Sequence, residues 1–285
     1  NDVSNEATVT LTVTGVNDRP VANNVSINAM EDGTPVSAMF SSTDIDTGET
    51  ASLRYTVLTQ PSEGTVTASS SPGDAQFTFS PGNAFQDLGD GETREVVFTY
   101  RTRDAQNLDS NVATVTVTVT GVNDVPVASN VSVTTTEDGP VVGDSFDVSD
   151  LDDNLLTSTI ESNPAKGTAT LSGSSGFSFN PGAEFQSLRQ GDTEVVTFTY
   201  KATDPSGASS GNATVTITIS GVNDAPQAID DSNSTNEDTL LVVASSDTLS
   251  LLRNDTDVDV NDTRTVIRID GVSALGDFIV SGTMF

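Results

Sequence analysis

The sequence predicts an all-β fold, a tandem row of β-sandwich domains in an extended array, on three observations. The first is a phrase used three times: Thr14-Gly15-Val16-Asn17-Asp18, Thr120-Gly121-Val122-Asn123-Asp124 and Ser220-Gly221-Val222-Asn223-Asp224, with Pro20, Pro126 or Pro226 just after it. The second is the alternating run ahead of each copy, such as Thr114-Val115-Thr116-Val117-Thr118-Val119, whose period of two is that of a strand with one buried face. The third is spacing. Asp18 and Asp124 are 106 residues apart and Asp124 and Asp224 are 100 apart, each the size of one small domain.

Other phrases keep this register and divide the chain. Glu31-Asp32-Gly33 returns as Glu137-Asp138-Gly139 and as Glu237-Asp238, and Phe77-x-Phe79-x-Pro81-Gly82-x-x-Phe85-Gln86 returns 100 residues later from Phe177 to Gln186. Residues 1–18 are read as the last strand of a preceding repeat plus linker, 19–124 and 125–224 as complete repeats, and 225–285 as the first half of another. That half-repeat, short of covering strands, is expected to be the least stable part and to offer an open sheet edge. The first repeat carries six extra residues between Asp44 and Phe77, assigned to the Ser69–Asp74 turn, because a fixed core tolerates length changes in a loop.

Within a repeat, Val97-Phe98-Thr99-Tyr100 and Val196-Thr197-Phe198-Thr199-Tyr200 place Phe and Tyr on one face, which is read as core rather than as a sugar-stacking platform. Val115, Val117 and Val119 face inward and Thr114, Thr116 and Thr118 face water, the pattern of an antiparallel sandwich with one wet side. No helix of three turns is expected.

Composition excludes whole classes of function. A net charge of −30 repels nucleic acid and anionic membrane, and no apolar run is long enough to cross a bilayer. The chain has no cysteine and no histidine, which removes disulfides, thiolate chemistry and the nitrogen and sulfur ligands that zinc and copper prefer.

The acids cluster where strands end. The middle linker offers Asn123 and Asp124, then Asp150-x-Asp152 and Asp204 from the following repeat, with Glu31 and Glu92 from the preceding one. The first linker offers Asn17, Asp18, Asp44, Asp46 and Asp104. The third offers Asn223, Asp224, Asp257 and Asp259, with Glu137 and Asp192 behind them. Calcium takes six to eight hard oxygen ligands in tolerant geometry, whereas magnesium keeps its waters, so three matched oxygen sets point to calcium. Glu92 and Asp192 rest only on matching Gly91-Glu92-Thr93 with Gly191-Asp192-Thr193. Asp32, Asp138 and Asp238 are read as turn residues.

Val196-x-Phe198-Thr199-Tyr200-x-Ala202-Thr203-Asp204-x-x-Gly207, continued by Ala213 to Thr218 and Gly221-Val222-Asn223-Asp224-Ala225-Pro226, resembles the cadherin-like and VCBS tandem repeats of large bacterial surface adhesins, the extender region of RTX-type adhesins. The resemblance covers the whole chain. It implies a Greek-key sandwich of cadherin-like or immunoglobulin-like type, calcium at the linkers, and an extracellular, secreted, cell-surface place in attachment or biofilm formation. Glu31 and Glu137 match the early glutamate of such domains, the Asn-Asp pairs match the linker, and Asp44-x-Asp46, Asp150-x-Asp152 and Asp257-x-Asp259 match its Asp-x-Asp. Asp104 and Asp204 match the later aspartate. Gly15, Gly121 and Gly221 depart from the animal pattern, which has a further linker aspartate there.

The function so implied is a calcium-rigidified extender, with neighbouring repeats or cell-surface polysaccharide as partners besides calcium. The alternative is a polysaccharide-binding repeat, and a third reading is acidity suited to a saline source. An enzyme is disfavoured. Gly143-Asp144-Ser145-Phe146 looks like a lipase nucleophile block but has no histidine as base, and carboxylate pairs at repeated junctions suit metal better than glycoside hydrolysis. Lys201 is the one donor considered for an isopeptide staple, and Arg101 replaces it in the first copy.

Overall fold

The computed structural model describes residues 2–239 and 251–264. It divides into two units, residues 1–124 with 151–153, and residues 125–150 with 154–285.

The first unit holds β1 (Val21–Asn23), β2 (Val25–Met30), β3 (Val36–Met39), β4 (Ser41–Thr43), β5 (Arg54–Thr59), β6 (Thr65–Ala68), β7 (Gln76–Ser80), β8 (Thr93–Arg103) and β9 (Ala113–Thr120). One sheet runs β2-β9-β8-β5, a second runs β3-β7-β6, and β1 pairs with β4. The second unit repeats this with β10 (Val127–Ser129), β11 (Val131–Thr136), β12 (Val142–Ser145), β13 (Asp147–Ser149), β14 (Thr157–Ser162), β15 (Thr168–Ser172), β16 (Gly176–Asn180), β17 (Thr193–Thr203) and β18 (Ala213–Ser220). Its sheets run β11-β18-β17-β14, β12-β16-β15 and β10-β13. The fold is the all-β tandem sandwich expected, and a 3₁₀ turn at Glu49–Ser52 is the one helical element among the described residues.

The purely antiparallel expectation is corrected. The first long strand of each repeat pairs in parallel with the last, Val25 opposite Val115 and Val131 opposite Val215, while β8–β9 and β17–β18 are antiparallel hairpins. Alternation reveals which residues face inward but not which neighbour a strand takes; a parallel partner can come from the far end of the domain. Entry to the ladder is set by asparagine: Thr114 N–H donates to Asn24 Oδ1 at 2.9 Å and Thr214 N–H to Asn130 Oδ1 at 2.8 Å.

Residues 7–14 lie outside the two sheets of the first repeat. Their sequence is that of β9 with Leu11 for Val117, yet they form no strand, and Val9, Leu11 and Val13 are largely exposed. Val115, Val117 and Val119 are fully buried because β2 and β8 flank them; no described strand flanks residues 7–14. In the last segment, Gln227 and Thr256 exchange backbone hydrogen bonds of 2.7 and 3.0 Å, as β10 and β13 do. Much of the expected half-repeat 225–285 lies outside the described residues.

The extra residues of the first repeat fall in two places rather than one. Three lengthen the β4–β5 connection, where the 3₁₀ turn sits, and three lengthen the β6–β7 turn, as the spacing of paired strands shows.

Each core is aromatic. Phe77, Phe79, Phe85, Phe98 and Tyr100, and their counterparts Phe177, Phe179, Phe185, Phe198 and Tyr200, are essentially inaccessible. That burial rules out the stacking platform. Phe40 stacks on Tyr100 at 4.3 Å and Phe146 on Tyr200 at 4.1 Å between ring centroids, so the lipase-like block supplies a core residue. Tyr100 Oη lies 2.6 Å from Asn23 O and 2.7 Å from Ser41 O and accepts from Ser41 N–H at 3.2 Å, tying β1 and β4 to β8. Tyr200 does the same with Ser129 and Asp147. Removing the Tyr100 hydroxyl takes the donor from the carbonyls of Asn23 and Ser41, which share it, and the acceptor from Ser41 N–H. Tyr100→Phe is therefore expected to cost about 1–3 kcal/mol, read as a lower denaturant midpoint with unchanged m-value.

Candidate metal centres

Three groups of acids form at the ends of the sandwiches. At the first linker, Asn17 Nδ2 donates to Asp104 Oδ2 at 2.9 Å, and Asp18 N–H donates to Asp46 Oδ2 at 2.8 Å. Asp46 N–H closes an Asx turn onto Asp44 Oδ1 at 3.0 Å. Carboxylate oxygens of Asp44, Glu49 and Asp104 lie within 4.8 Å of one another. Asp104 sits in the turn after β8, where Leu108 N–H donates to its Oδ1 at 2.8 Å. Burial pushes its pKa up, but Asn17 and the backbone N–H groups of Leu108, Gln106 and Asn107 outweigh that and hold it below the usual range.

In the second group, Glu31 is almost wholly buried. Its backbone N–H continues the sheet to Thr120 O at 3.0 Å, and its Oε1 accepts from Val122 N–H at 2.6 Å. Asp124 N–H donates to Asp152 Oδ2 at 3.2 Å. Burial first, then the neighbouring charges of Asp124, Asp32 and Asp152, raise Glu31 against the Val122 hydrogen bond; burial, Asp32 and Asp152 raise Asp124.

The third group repeats the second. Glu137 Oε1 accepts from Val222 N–H at 2.7 Å, Asp224 N–H donates to Asp259 Oδ2 at 2.9 Å, and Asp259 N–H donates to Asp257 Oδ1 at 3.1 Å. Oxygens of Glu137, Asp224 and Asp259 lie within 4.8 Å of one another. Glu137 is raised by burial, then by Asp224 and Asp259, against hydrogen bonds from Val222 and Leu188; Asp224 is raised by burial, Asp138, Asp259 and Asp257.

The donor chemistry fits a hard cation. Glu31 Oε2 and Asp124 Oδ2 in one group, and Glu137 Oε2, Asp224 Oδ2 and Asp259 Oδ1 in another, are shielded from solvent and accept no hydrogen bond. Glu137 and Asp259 are each no more than 3% exposed. Unpaired buried carboxylate oxygens facing one another are costly without a counter-charge. All the candidate donors are oxygen, the type a hard cation takes.

The remaining candidates have contacts of their own. Glu92 Oε2 accepts from Gly89 N–H at 3.4 Å, and Asp192 pairs with Arg189 at 3.3 Å, both contacts within their own turns. Asp204 is buried after β17, with its Oδ1 accepting from Ala208 N–H at 2.8 Å as Asp104 does from Leu108, and Asp150 follows β13 as Asp44 follows β4. Asn123 and Asn223 each donate from Nδ2 to the carbonyl of the next aspartate.

Sequence reasoning missed three residues. Glu49 lies in the lengthened β4–β5 loop, where the chain has no second copy to compare. Asp32 and Asp138, read as turn residues, are held by Gln86 at 2.9 Å and Gln186 at 3.0 Å, close enough to raise Asp124 and Asp224. The signal was present: the Phe-Gln pair recurs wherever Glu-Asp-Gly is followed by a complete repeat.

The raised acids predict a pH response. Glu31, Asp124, Glu137 and Asp224 hold protons more tightly folded than unfolded, so their contribution is full below the ordinary carboxylate range and is lost as pH rises through their elevated folded values. Asp104, Asp87 and Asp109, all held low, act oppositely and matter as pH falls below about 4. Urea midpoints in calcium-free buffer are expected to fall as pH rises from the ordinary carboxylate range, about 4, toward neutrality. A cation held by these oxygens would reverse the slope, because protons compete for the same atoms.

Fold and acid groups together define a tandem cadherin-type module. The bacterial cadherin-like domain family matches residues 17–121 and again 123–221, and the chain belongs to that family. Among solved structures, the chain is similar to protocadherin γB7 extracellular cadherin domains 1–4, at 14% identity and a TM-score of 0.43, covering 77% of this chain and 56% of that one. Human protocadherin-24 EC1-2 matches at 14% identity and 0.42, covering 72% of this chain and 99% of that one. An endo-fucoidan hydrolase of glycoside hydrolase family 107 matches at 18% identity and 0.30, covering 74% and 30%. No curated protein matches the sequence. Among the described residues, no helix is long and apolar enough to cross a membrane.

Proposed function

We propose that these repeats are calcium-rigidified extenders of a secreted or cell-surface bacterial adhesin, supporting attachment or biofilm formation. The observation that carries the reading is the set of buried, unpaired oxygens on Glu137, Asp224 and Asp259. At the middle linker Glu31, Asp124 and Asp152 play the same part, drawn in sequence from one repeat, the linker and the next repeat. At the first, Asp44, Asp46, Glu49 and Asp104 serve with Asn17 and Asp18. Bound calcium supplies the positive charge that lets these carboxylates stay ionised and close together. The chain's own work is to hold the oxygens in place: Val122 and Val222 orient the glutamates, and the Asx turns of Asp44-x-Asp46 and Asp257-x-Asp259 aim the aspartates. Without the ion the acids repel and the linker is free to swing. With it, adjacent repeats become one stiff rod that carries a binding tip away from the cell.

Small-angle scattering and melting during a calcium titration, with magnesium and matched sodium as controls, test this. Calcium alone, at millimolar or lower concentration, is expected to increase the radius of gyration and the melting temperature. A response that merely follows ionic strength rejects the proposal.

A further inference from the structure

The two complete repeats are similar enough to exchange parts. β9 and β18 differ in sequence only at Val117/Ile217, Val119/Ile219 and Thr120/Ser220, and the preceding strands β8 and β17 share the Phe-Thr-Tyr core stretch. Each repeat ends in such a hairpin, Phe98 opposite Val115 and Phe198 opposite Val215, and the buried side chains the two hairpins present are closely alike, with Val117, Val119 and Thr102 replaced by Ile217, Ile219 and Ala202. Strand exchange between neighbours is a characteristic failure of repeat proteins, most probable where the exchanged elements are nearly identical.

One contact between hairpin and body differs in sign. In the first repeat Arg94, at the start of β8, pairs with Glu63 at 3.3 Å and with Asp87 at 2.7 Å. In the second repeat the position of Arg94 is Glu194, and it pairs with Lys166 at 2.6 Å. Glu63 and Lys166 occupy the same place in equivalent turns, Pro61-Ser62-Glu63-Gly64 and Pro164-Ala165-Lys166-Gly167. Gly64 and Gly167 have φ of 73° and 72°, and each is pressed against the ring of Phe79 or Phe179. The ion pair is thus retained with its polarity inverted. The side chains are between 32% and 44% exposed, sheltered enough to feel one another. Lys166 also lies 5.5 Å from the Phe185 ring, and Asp87 has become Ser187, so the surroundings follow the change.

We propose that this inversion is a recognition device that matches each C-terminal hairpin to its own repeat. Any exchange, between neighbours in one chain or between two copies, sets Arg94 against Lys166 and Glu194 against Glu63. Both products carry a like-charge contact, while both native repeats carry an attraction, which is how repulsion confers specificity when apolar contacts cannot.

The test uses the absence of cysteine from the chain. Thr59 faces Thr99 and Ser162 faces Thr199, each pair with hydroxyls 2.8 Å apart. A chain with Thr59→Cys and Thr199→Cys therefore places the two thiols on facing strands after exchange. The chain is unfolded in urea, refolded by dilution, oxidised, and assayed for the 59–199 disulfide against never-unfolded protein. Adding Lys166→Glu and Glu194→Arg gives both repeats the same polarity and is expected to raise the disulfide yield about fivefold, since exchange then forms two attractive contacts. Adding Glu63→Lys, Asp87→Ser and Arg94→Glu to that chain restores opposite polarities and is expected to return the yield to its original value. An unchanged yield in the first variant, or a raised yield that persists in the second, overturns the proposal.

Discussion

Gly121→Asp, which restores the linker aspartate of animal cadherins, is expected to destabilise the first repeat rather than to add a calcium ligand. A Cβ at Gly121 would lie 2.4 Å from Gly89 O and 2.5 Å from Leu88 O, and at Gly221 2.2 Å from Arg189 O and 2.6 Å from Leu188 O. These are backbone atoms of the turn before β8 or β17, pinned by Gly121 N–H to Glu92 O at 2.8 Å and Gly221 N–H to Asp192 O at 2.9 Å. A side chain must push that turn away, which breaks those bonds and unseats Leu88 from the core. The expected cost is about 3 kcal/mol, seen as a loss of more than 10 °C in the melting of the first repeat. Gly15 has no atom within 4 Å of such a Cβ, so Gly15→Asp serves as the tolerated control. Equal melting of the two variants would show that the glycine is not a packing requirement.

Glu137→Gln is expected to act with opposite sign in the two states of the metal. Burial and the charges of Asp224 and Asp259 oppose ionisation of Glu137 in the folded chain, so at neutral pH without calcium the neutral amide is the better occupant. Its oxygen still accepts from Val222 N–H, and its NH2 can donate to the two aspartates. Calcium-free Glu137→Gln is therefore expected to melt above the parent. In 10 mM calcium the order inverts, because one site is lost; for a dissociation constant of about 10⁻⁴ M that site contributes about 2.7 kcal/mol. Calorimetry of both proteins, with and without calcium, reads the crossing. A variant less stable than the parent in both conditions would mean that Glu137 is structural and that the third group holds no ion.

The two substitutions also separate what could be read along the chain from what could not. The strands, their inward faces and the aromatic cores follow from alternation and from repeated phrases, because a period of two and a twice-used Phe-x-Phe leave few other folds. The Asn-Asp linkers and Asp-x-Asp turns were visible as ligand candidates for the same reason: local turn chemistry holds them, as the Asp44–Asp46 hydrogen bond shows. Glu49 was not visible, since it occurs once, in a loop whose extra residues the sequence misplaced. Glu92 and Asp192 are candidates because their register matches, and the contacts the structure gives them lie within their own turns.

Short-range pattern along the chain is enough for the repeating all-β plan and for the chemical type of the candidate sites. The rest depends on the folded chain: the parallel pairing of first and last strands, the need for Gly121 and Gly221, and the inverted ion pair. Each of these depends on which distant segment arrives beside a residue. Strand pairing, backbone approach and charge contact act over a few ångströms in space, between residues that here lie tens to about a hundred positions apart in the chain.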